Sequence, residues 1–376
     1  MRIGFIINPI AGMGGKVALK GTDGVVEEAI RRGARPVAEE VARLFLHELT
    51  HYVEASDVSF LTGPDGMGER VLGDFEFPFE VIPHRKIGHR EVEGVRIPDT
   101  TSEDTKTLAR TMVGKVDMVL FAGGDGTARD VFSAVDRAVP ILGIPTGVKM
   151  FSGVFAASPE NAALILVEFM KGNARVVERD VMDLDEEAYR RDEVRPRHYG
   201  KALTPYVELL VQGAKEPTQV DEEEEVEAIA EALVEELEDG VYFLGAGSTL
   251  KRIKERLGIN GTLLGIDVVE INDGKARLLV KDVSERDLLA FIERRPKVIV
   301  TVIGGLGFLF GRGNQQFSAE VLRHIPKENI IVVATPSKLR GGVIRVYTGD
   351  REVDEKLRGY MRVRVSPWAE RMVKVI

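Results

Sequence analysis

Short apolar runs alternate with amphipathic stretches through the first 150 residues. This alternation predicts an open parallel β-sheet with helices on its faces. Each predicted strand ends beside glycine, proline or asparagine, so loops collect at the carboxyl ends of the strands, where such sheets bind ligands. Helices are predicted over residues 36–51 and 102–113. The predicted strands are Arg2–Asn8, Val58–Leu61, Phe79–Ile82, Asp117–Phe121 and Pro140–Ile144.

The pattern changes after residue 157. A helix is predicted over Pro159–Lys171, because Ser158 can cap its start and Gly172 can end it. We then expect a strand over 174–182, a charged loop to about residue 205 and a strand over 206–212. An acidic run opens a further helix, whose apolar stripe comprises Val226, Ile229, Leu233, Val234 and Leu237.

The chain length of 376 residues favours about two domains. We expect an N-terminal α/β domain over residues 1–157 and a second, β-rich α/β domain over 158–345. Residues 346–376 are predicted to add β structure that packs on either domain. Two domains without a long linker between them predict an active site in the cleft that they form.

Composition excludes several classes of chemistry. The chain has no cysteine, so disulfides, thiolate nucleophiles and cysteine-ligated metals are excluded. Its net charge of −9 argues against nucleic acid as a partner, because nucleic-acid binders carry a basic face. The sequence has no apolar run of membrane-spanning length and no secretory signal pattern. We therefore expect a cytoplasmic protein without a membrane partner.

The most informative motif is Gly123-Gly124-Asp125-Gly126-Thr127, which follows a buried strand and precedes a helix. Glycines let backbone N–H groups approach phosphate oxygens, and the helix start adds its positive dipole end. Asp125 can then accept the proton of an acceptor hydroxyl group or orient Mg²⁺. A tight turn that uses glycine and aspartate for geometry alone is the other interpretation.

This motif resembles the nucleotide-phosphate motif of the superfamily of NAD kinase, diacylglycerol kinase and phosphofructokinase. Two further segments agree with the resemblance. Asn8-Pro9-Ile10-Ala11-Gly12 is similar to the Asn-Pro-x-x-Gly element beside the nucleotide, and Gly247-Ser248-Thr249 resembles the Gly-Ser-Thr segment near the dinucleotide in NAD kinases. For the second segment a simple helix cap is an alternative. The overall pattern is similar to divergent archaeal and bacterial ATP-NAD kinase-like proteins, which include a protein associated with acetoin catabolism.

The resemblance implies roles for further residues. Lys149 lies where those kinases have a glycine-rich segment with an asparagine, and it can neutralise developing charge. The pair that holds adenine and ribose is not evident in the sequence. Asp183, Asp185 and Asp267 are the candidates for these contacts.

The resemblance implies a Mg²⁺-dependent kinase that transfers a phosphoryl group from ATP or polyphosphate to the 2′-hydroxyl of NAD, with self-association into a homo-oligomer. Two alternatives stay open. The first is a kinase with another hydroxyl acceptor, such as a nucleoside, sugar, polyol or lipid. The second is a nucleotide-binding protein without catalytic activity.

Overall fold

The computed structural model describes residues 1–15, 17, 19, 25–146, 150–184, 196–207, 221–303, 307–339 and 342–376. These residues fall into two compact units. Residues 1–14 and the described residues between 25 and 207 form the first unit, and residues 221–376 belong to the second. In the described part of the chain, no helix combines the length and the apolar character that crossing a membrane requires.

The first unit is built on a five-stranded parallel sheet in the order β3-β2-β1-β6-β7. An antiparallel hairpin, β4–β5, and a longer antiparallel ribbon, β8–β9, complete its strands. The strands are β1 Arg2–Ile7, β2 Ser59–Thr62, β3 Phe79–Val81, β4 His89–Val92, β5 Val95–Pro98, β6 Met118–Gly123, β7 Ile141–Pro145, β8 Arg175–Leu184 and β9 Pro196–Tyr206. The described helices are α1 Val26–Arg31, α2 Ala38–Leu49, α3 Glu69–Leu72, α4 Ser102–Met112, α5 Asp125–Val135 and α6 Pro159–Met170.

The central strands β1 and β6 are buried almost throughout, as the continuous apolar runs of a sheet covered on both faces require. One core cluster joins one side of the sheet to α2 and α6, and a second joins the other side to α4 and α5. Helix α6 begins as predicted, because the Ser158 hydroxyl accepts a hydrogen bond from the N–H of Asn161 at 3.1 Å.

The second unit contains a nine-stranded mixed sheet in the order β12-β11-β10-β13-β15-β17-β18-β16-β14. Strands β10, β13, β15 and β17 run parallel, and β11 and β12 extend the sheet antiparallel. The strands are β10 Gly240–Leu244, β11 Asp267–Asn272, β12 Lys275–Val280, β13 Lys297–Thr301, β14 Phe308–Phe310, β15 Ile330–Val333, β16 Val343–Val346, β17 Gly359–Ser366 and β18 Ala369–Val375. The described helices are α7 Asp221–Glu236, α8 Ser248–Arg256, α9 Glu285–Leu289, α10 Ala319–His324 and α11 Arg351–Leu357.

Each unit therefore has the architecture that the sequence predicts: a parallel sheet flanked by helices, then a β-rich α/β unit. The apolar stripe that opens with α7 is also present, because four of its five members, Ile229, Leu233, Val234 and Leu237, pack in one core cluster of the second unit. The predicted loop is wrong over residues 196–205, where β9 pairs with β8 along its whole length. The strand predicted over 206–212 extends into residues outside the described ranges. The domain boundary at 157/158 stays a prediction.

Candidate phosphate site

Two loops that the sequence places far apart meet at the carboxyl edge of the first sheet. Asn8 follows β1, and its side-chain Nδ2 donates a hydrogen bond of 2.9 Å to Oγ1 of Thr127, 119 residues away. Asn8 also donates its backbone N–H to the carbonyl oxygen of Ala122 at 2.9 Å. Since β1 and β6 are parallel neighbours, the ends of the two strands lie side by side. The structure thus brings the Asn-Pro loop and the glycine-rich turn together.

Glycine is required at two positions of this edge because neighbouring atoms fill the space of a Cβ. A Cβ on Gly12, whose φ is +80°, would lie 2.1 Å from the carbonyl oxygen of Thr146. A Cβ on Gly123 would lie 2.4 Å from Cβ of Thr127. Beside Gly124, no atom of the described residues lies within 4 Å of an added Cβ. Close packing therefore fixes the loop backbones, while the helix start stays accessible.

Helix α5 begins directly in this turn. Gly124 occupies the position before the first helical residue and has no side chain that could cap the helix. The N–H groups of the first turn, around Gly126 and Thr127, belong to the positive end of the helix dipole. Such a helix start binds phosphate through backbone N–H groups.

Asp125 is the first residue of α5 and is buried, with 8% of its surface exposed. Its carboxylate accepts hydrogen bonds from two consecutive backbone N–H groups, that of Phe151 at 2.6 Å and that of Ser152 at 2.9 Å. Ser152 is itself anchored on β8, because its hydroxyl donates to the carbonyl oxygen of Met182 at 2.8 Å. The segment after β7 therefore fixes the orientation of the Asp125 carboxylate.

Burial raises the pKa of Asp125 to about 7, because the charged carboxylate loses its hydration. The hydrogen bonds from Ser152 and Phe151 oppose this shift, and the negative charge of Asp183 adds to it. A pKa near neutrality suits a residue that must both take up and release a proton at physiological pH.

A second carboxylate, Asp183 on β8, is held by a neighbour of the turn. Arg129, one helical turn after Asp125, donates a hydrogen bond from Nη1 to Oδ2 of Asp183 at 2.6 Å. Arg129 also lies 3.3 Å from the buried carboxylate of Asp130. Its guanidinium group thereby balances two negative charges beside the turn.

The carboxylates of this edge do not form a magnesium cage by themselves. Among the described residues, no three histidine or acidic side chains group as metal ligands. Both oxygens of Asp125 already accept backbone N–H groups, and Asp183 is paired with Arg129. Magnesium in kinases is held by one or two carboxylates together with the donor phosphates, so Asp125 and Asp183 are the side chains of this edge that would contribute to such a site.

In the second unit, the predicted segment Gly247-Ser248-Thr249 also lies at a strand end and a helix start. Gly247 has a φ of +112° and precedes α8. Thr249 is buried, and its Oγ1 accepts a hydrogen bond from the Lys338 ammonium group at 2.7 Å. The same ammonium group lies 3.4 Å from Oγ1 of Thr301 at the end of β13. The predicted helix start is present, and its phosphate-binding role stays a prediction.

Asp267, a candidate for a ribose contact, lies in the core of the second unit. Its carboxylate and the ammonium group of Lys254 are both fully buried, 2.8 Å apart. Asp267 also accepts hydrogen bonds from the backbone N–H groups of Thr262 and Asp282, at 2.7 and 2.9 Å. Lys254 donates to the carbonyl oxygens of Thr262 and Gly265. This ion pair fixes the loop between α8 and β11, a structural role that sequence inspection did not suggest.

Two predicted residues, Lys149 and Asp185, lie outside the described residues. Sequence reasoning missed the N–H groups of Phe151 and Ser152 that hold Asp125, and it missed the pairing of Arg129 with Asp183. Backbone donors have no sequence signature. Arg129 pairs with Asp183, 54 residues along the chain, and no local spacing indicates such a contact.

The comparisons with known proteins identify both units. Residues 3–174 match the family model of the ATP-NAD kinase N-terminal domain, and residues 237–375 match that of the ATP-NAD kinase C-terminal domain. No curated protein sequence matches the chain.

Among solved structures, three chains from Bacillus anthracis str. Sterne are similar to this one over part of its length. A putative diacylglycerol kinase is 14% identical, with a TM-score of 0.24 over 49% of this chain and 45% of its own. A second, a diacylglycerol kinase, is 16% identical, with a TM-score of 0.23 over 49% and 46%. A further putative diacylglycerol kinase is 13% identical, with a TM-score of 0.24 over 64% and 59%. The chain thus spans about half the length of these structures.

The buried ion pair of the second unit predicts a large effect on stability. Lys254→Met leaves the Asp267 carboxylate uncompensated in the core, which costs about 3–5 kcal/mol of the free energy of unfolding. Arg252→Met on the same helix removes solvent-exposed pairs with Glu255 and Glu227 and should cost less than about 1 kcal/mol. Urea unfolding of both variants measures the difference. Equal losses would contradict a structural role for Asp267.

Proposed function

We propose, from the premise that this chain belongs to the ATP-NAD kinase family, that it is a phosphotransferase whose acceptor is an alcohol hydroxyl group. The observation that carries the proposal is the position of Asp125. A buried carboxyl group with a pKa of about 7 lies at the start of a helix, in a glycine turn that is open on one side. These are the parts that phosphoryl transfer requires: a proton acceptor next to a phosphate-binding backbone.

The donor phosphates bind at the start of α5, where Gly123, Gly124, Gly126 and Thr127 offer backbone N–H groups and a hydroxyl. Asn8 and Gly12 support this surface from the end of β1, since Asn8 holds the Thr127 side chain. The dipole of α5 stabilises negative charge that develops on the transferred group.

Asp125 accepts the proton of the acceptor hydroxyl group. The acceptor oxygen forms a bond to the terminal phosphorus of the donor. The bond from that phosphorus to the bridging oxygen breaks, and the leaving diphosphate keeps the electron pair. Since both oxygens of Asp125 are oriented by backbone N–H groups, the carboxylate needs little reorganisation during transfer.

In its most specific form, the proposal takes the 2′-hydroxyl of NAD as acceptor and ATP or polyphosphate as donor, with NADP as product. Family membership supports a kinase, and NAD is the acceptor that the description of the family, ATP-NAD kinase, suggests. A second acceptor class, another small hydroxyl compound, is favoured by a specific observation. Asp183 is paired with Arg129, and Asp267 is paired with Lys254 in the core, so two candidates for holding adenosine hydroxyls already have partners.

An acceptor screen tests the function. Purified protein is incubated with Mg²⁺ and either ATP or polyphosphate, because the family uses ATP with a divalent metal. NAD, nucleosides, sugars and polyols serve as acceptors, and phosphorylated products are identified by mass spectrometry. Catalytic formation of NADP, well above every other product, supports NAD as acceptor. Turnover of a different compound identifies the second class, and no transfer to any acceptor contradicts a phosphotransferase.

Replacement of the proton acceptor predicts a loss in turnover. Asp125→Asn keeps the shape of the side chain but removes its basicity, so kcat should fall by about 10²–10⁴-fold. Circular dichroism of the same variant checks that it remains folded. Near-normal kcat in a folded variant would remove Asp125 from the mechanism.

The raised pKa of Asp125 predicts the pH dependence of kcat/KM. The carboxyl group must be deprotonated to accept a proton, so activity falls as the pH drops below about 7. Asp183→Asn removes a negative charge that raises the pKa of Asp125, so the acidic limb of the profile should move to lower pH. Asp180→Asn, on the same strand but exposed and bound to His198, is the matched control and should leave the limb in place. If the acidic limb of the kcat/KM profile stays at the wild-type pH in Asp183→Asn, the electrostatic effect of Asp183 on Asp125 is contradicted.

A further inference from the structure

Thr146 carries a buried hydroxyl group to which the described residues offer no hydrogen bond. The residue follows β7, is only 4% exposed, and its Oγ1 has no hydrogen-bond partner among the residues that the structure describes. A buried hydroxyl group without a partner costs about 1–3 kcal/mol. Such groups are rare in native proteins and mark places where a ligand or water completes the hydrogen bonding.

The backbone of Thr146 lies between the two glycine motifs of the candidate site. Its N–H donates a hydrogen bond of 3.1 Å to the carbonyl oxygen of Gly123. Its own carbonyl oxygen occupies the space where a Cβ of Gly12 would lie, 2.1 Å from that point. Thr146 therefore stands at the carboxyl edge of the sheet, in contact with both loops that are assigned to the donor phosphates.

We propose that Thr146 is a further binding residue of the donor site and that its hydroxyl group donates a hydrogen bond to a phosphate oxygen of the nucleotide. This inference rests on the proposed function. A phosphate oxygen is the expected acceptor at the carboxyl edge of the sheet, because the start of α5 and the turn at Gly123 favour the binding of anions. The contact contributes equally to ground-state and transition-state binding, so it acts on donor affinity more than on turnover.

The test replaces the hydroxyl group without changing the shape of the side chain. Thr146→Val should weaken ATP binding and raise the KM for ATP by about 10- to 100-fold, the range for a hydrogen bond to a charged group, with kcat changed much less. The ligand-free variant should be at least as stable as the wild type, because an unpartnered buried hydroxyl group has been removed. Thr146→Ser keeps the hydroxyl group and should retain affinity within a few-fold, about 3-fold at most.

The chain offers a matched control. Thr204 on β9 is also fully buried with an unpartnered Oγ1, yet it lies on the ribbon rather than at the carboxyl edge of the sheet. Thr204→Val should therefore leave ATP binding unchanged. Binding is measured by isothermal titration calorimetry with ATP and Mg²⁺, and stability by thermal unfolding without nucleotide.

The outcomes separate this inference from the proposed function. Wild-type affinity in Thr146→Val overturns the inference alone, as does an equal loss in Thr204→Val. A folded wild type that binds no nucleotide overturns the proposed function and this inference together. If Thr146→Val does not fold, Thr146→Ala removes the same hydroxyl group without the branched side chain, and its affinity for ATP decides the question.

Discussion

The burial of one carboxyl group at the start of α5 is the constraint on which the candidate site depends. Asp125 is removed from water by the packing of the turn, and the backbone N–H groups of Phe151 and Ser152 donate hydrogen bonds to its carboxylate. These donors come from the segment after β7, and Ser152 is bonded in turn to β8. Hydrogen bonds thus connect the start of α5, the segment after β7 and strand β8 through this carboxylate. A change in any of these three parts should change the pKa of Asp125.

The geometry around this carboxylate follows from sterics. Gly12 and Gly123 are in contact with atoms that leave no room for a side chain, so the loops after β1 and β6 can approach each other and the end of β7. The hydrogen bond from Asn8 to Thr127 then joins the first two loops. Where the space is open, beside Gly124, a phosphate group can reach the helix start. Tight packing on one side and access on the other are the two conditions for a phosphate-binding turn.

Much of the first unit could be predicted from the sequence, because its signals are local. Apolar runs predicted the strands, and Ser158 predicted the start of α6. The glycines, Asp125 and Asn8 indicated the candidate site through their residue types and their spacing. The partners of these residues could not be predicted in the same way. The N–H groups that hold Asp125 are backbone atoms 26 and 27 residues away, and the ion pair of Lys254 with Asp267 depends on a loop closing over a helix.

The loop predicted up to about residue 205 illustrates the same limit. Residues 196–206 have no clear apolar alternation and contain Pro196, Gly200 and Pro205, so periodicity gave no strand. They form β9 because β8 supplies backbone hydrogen-bond partners along its length, and ribbon pairing does not require a continuous apolar face. Asp267 shows the converse. The family resemblance made it a candidate for a ribose or adenine contact, but burial beside Lys254 gives it a partner within the fold.

The most direct test of this account is the titration of the Asp125 carboxyl group in the folded protein. The ¹³Cγ resonance of Asp125, assigned by its absence in the Asp125→Asn variant, is followed by NMR across neutral pH. The account predicts a midpoint of about 7. A midpoint within the ordinary range for aspartate, below about 5, would show that the backbone N–H groups outweigh burial and would contradict the assignment of Asp125 as a proton acceptor tuned to neutrality.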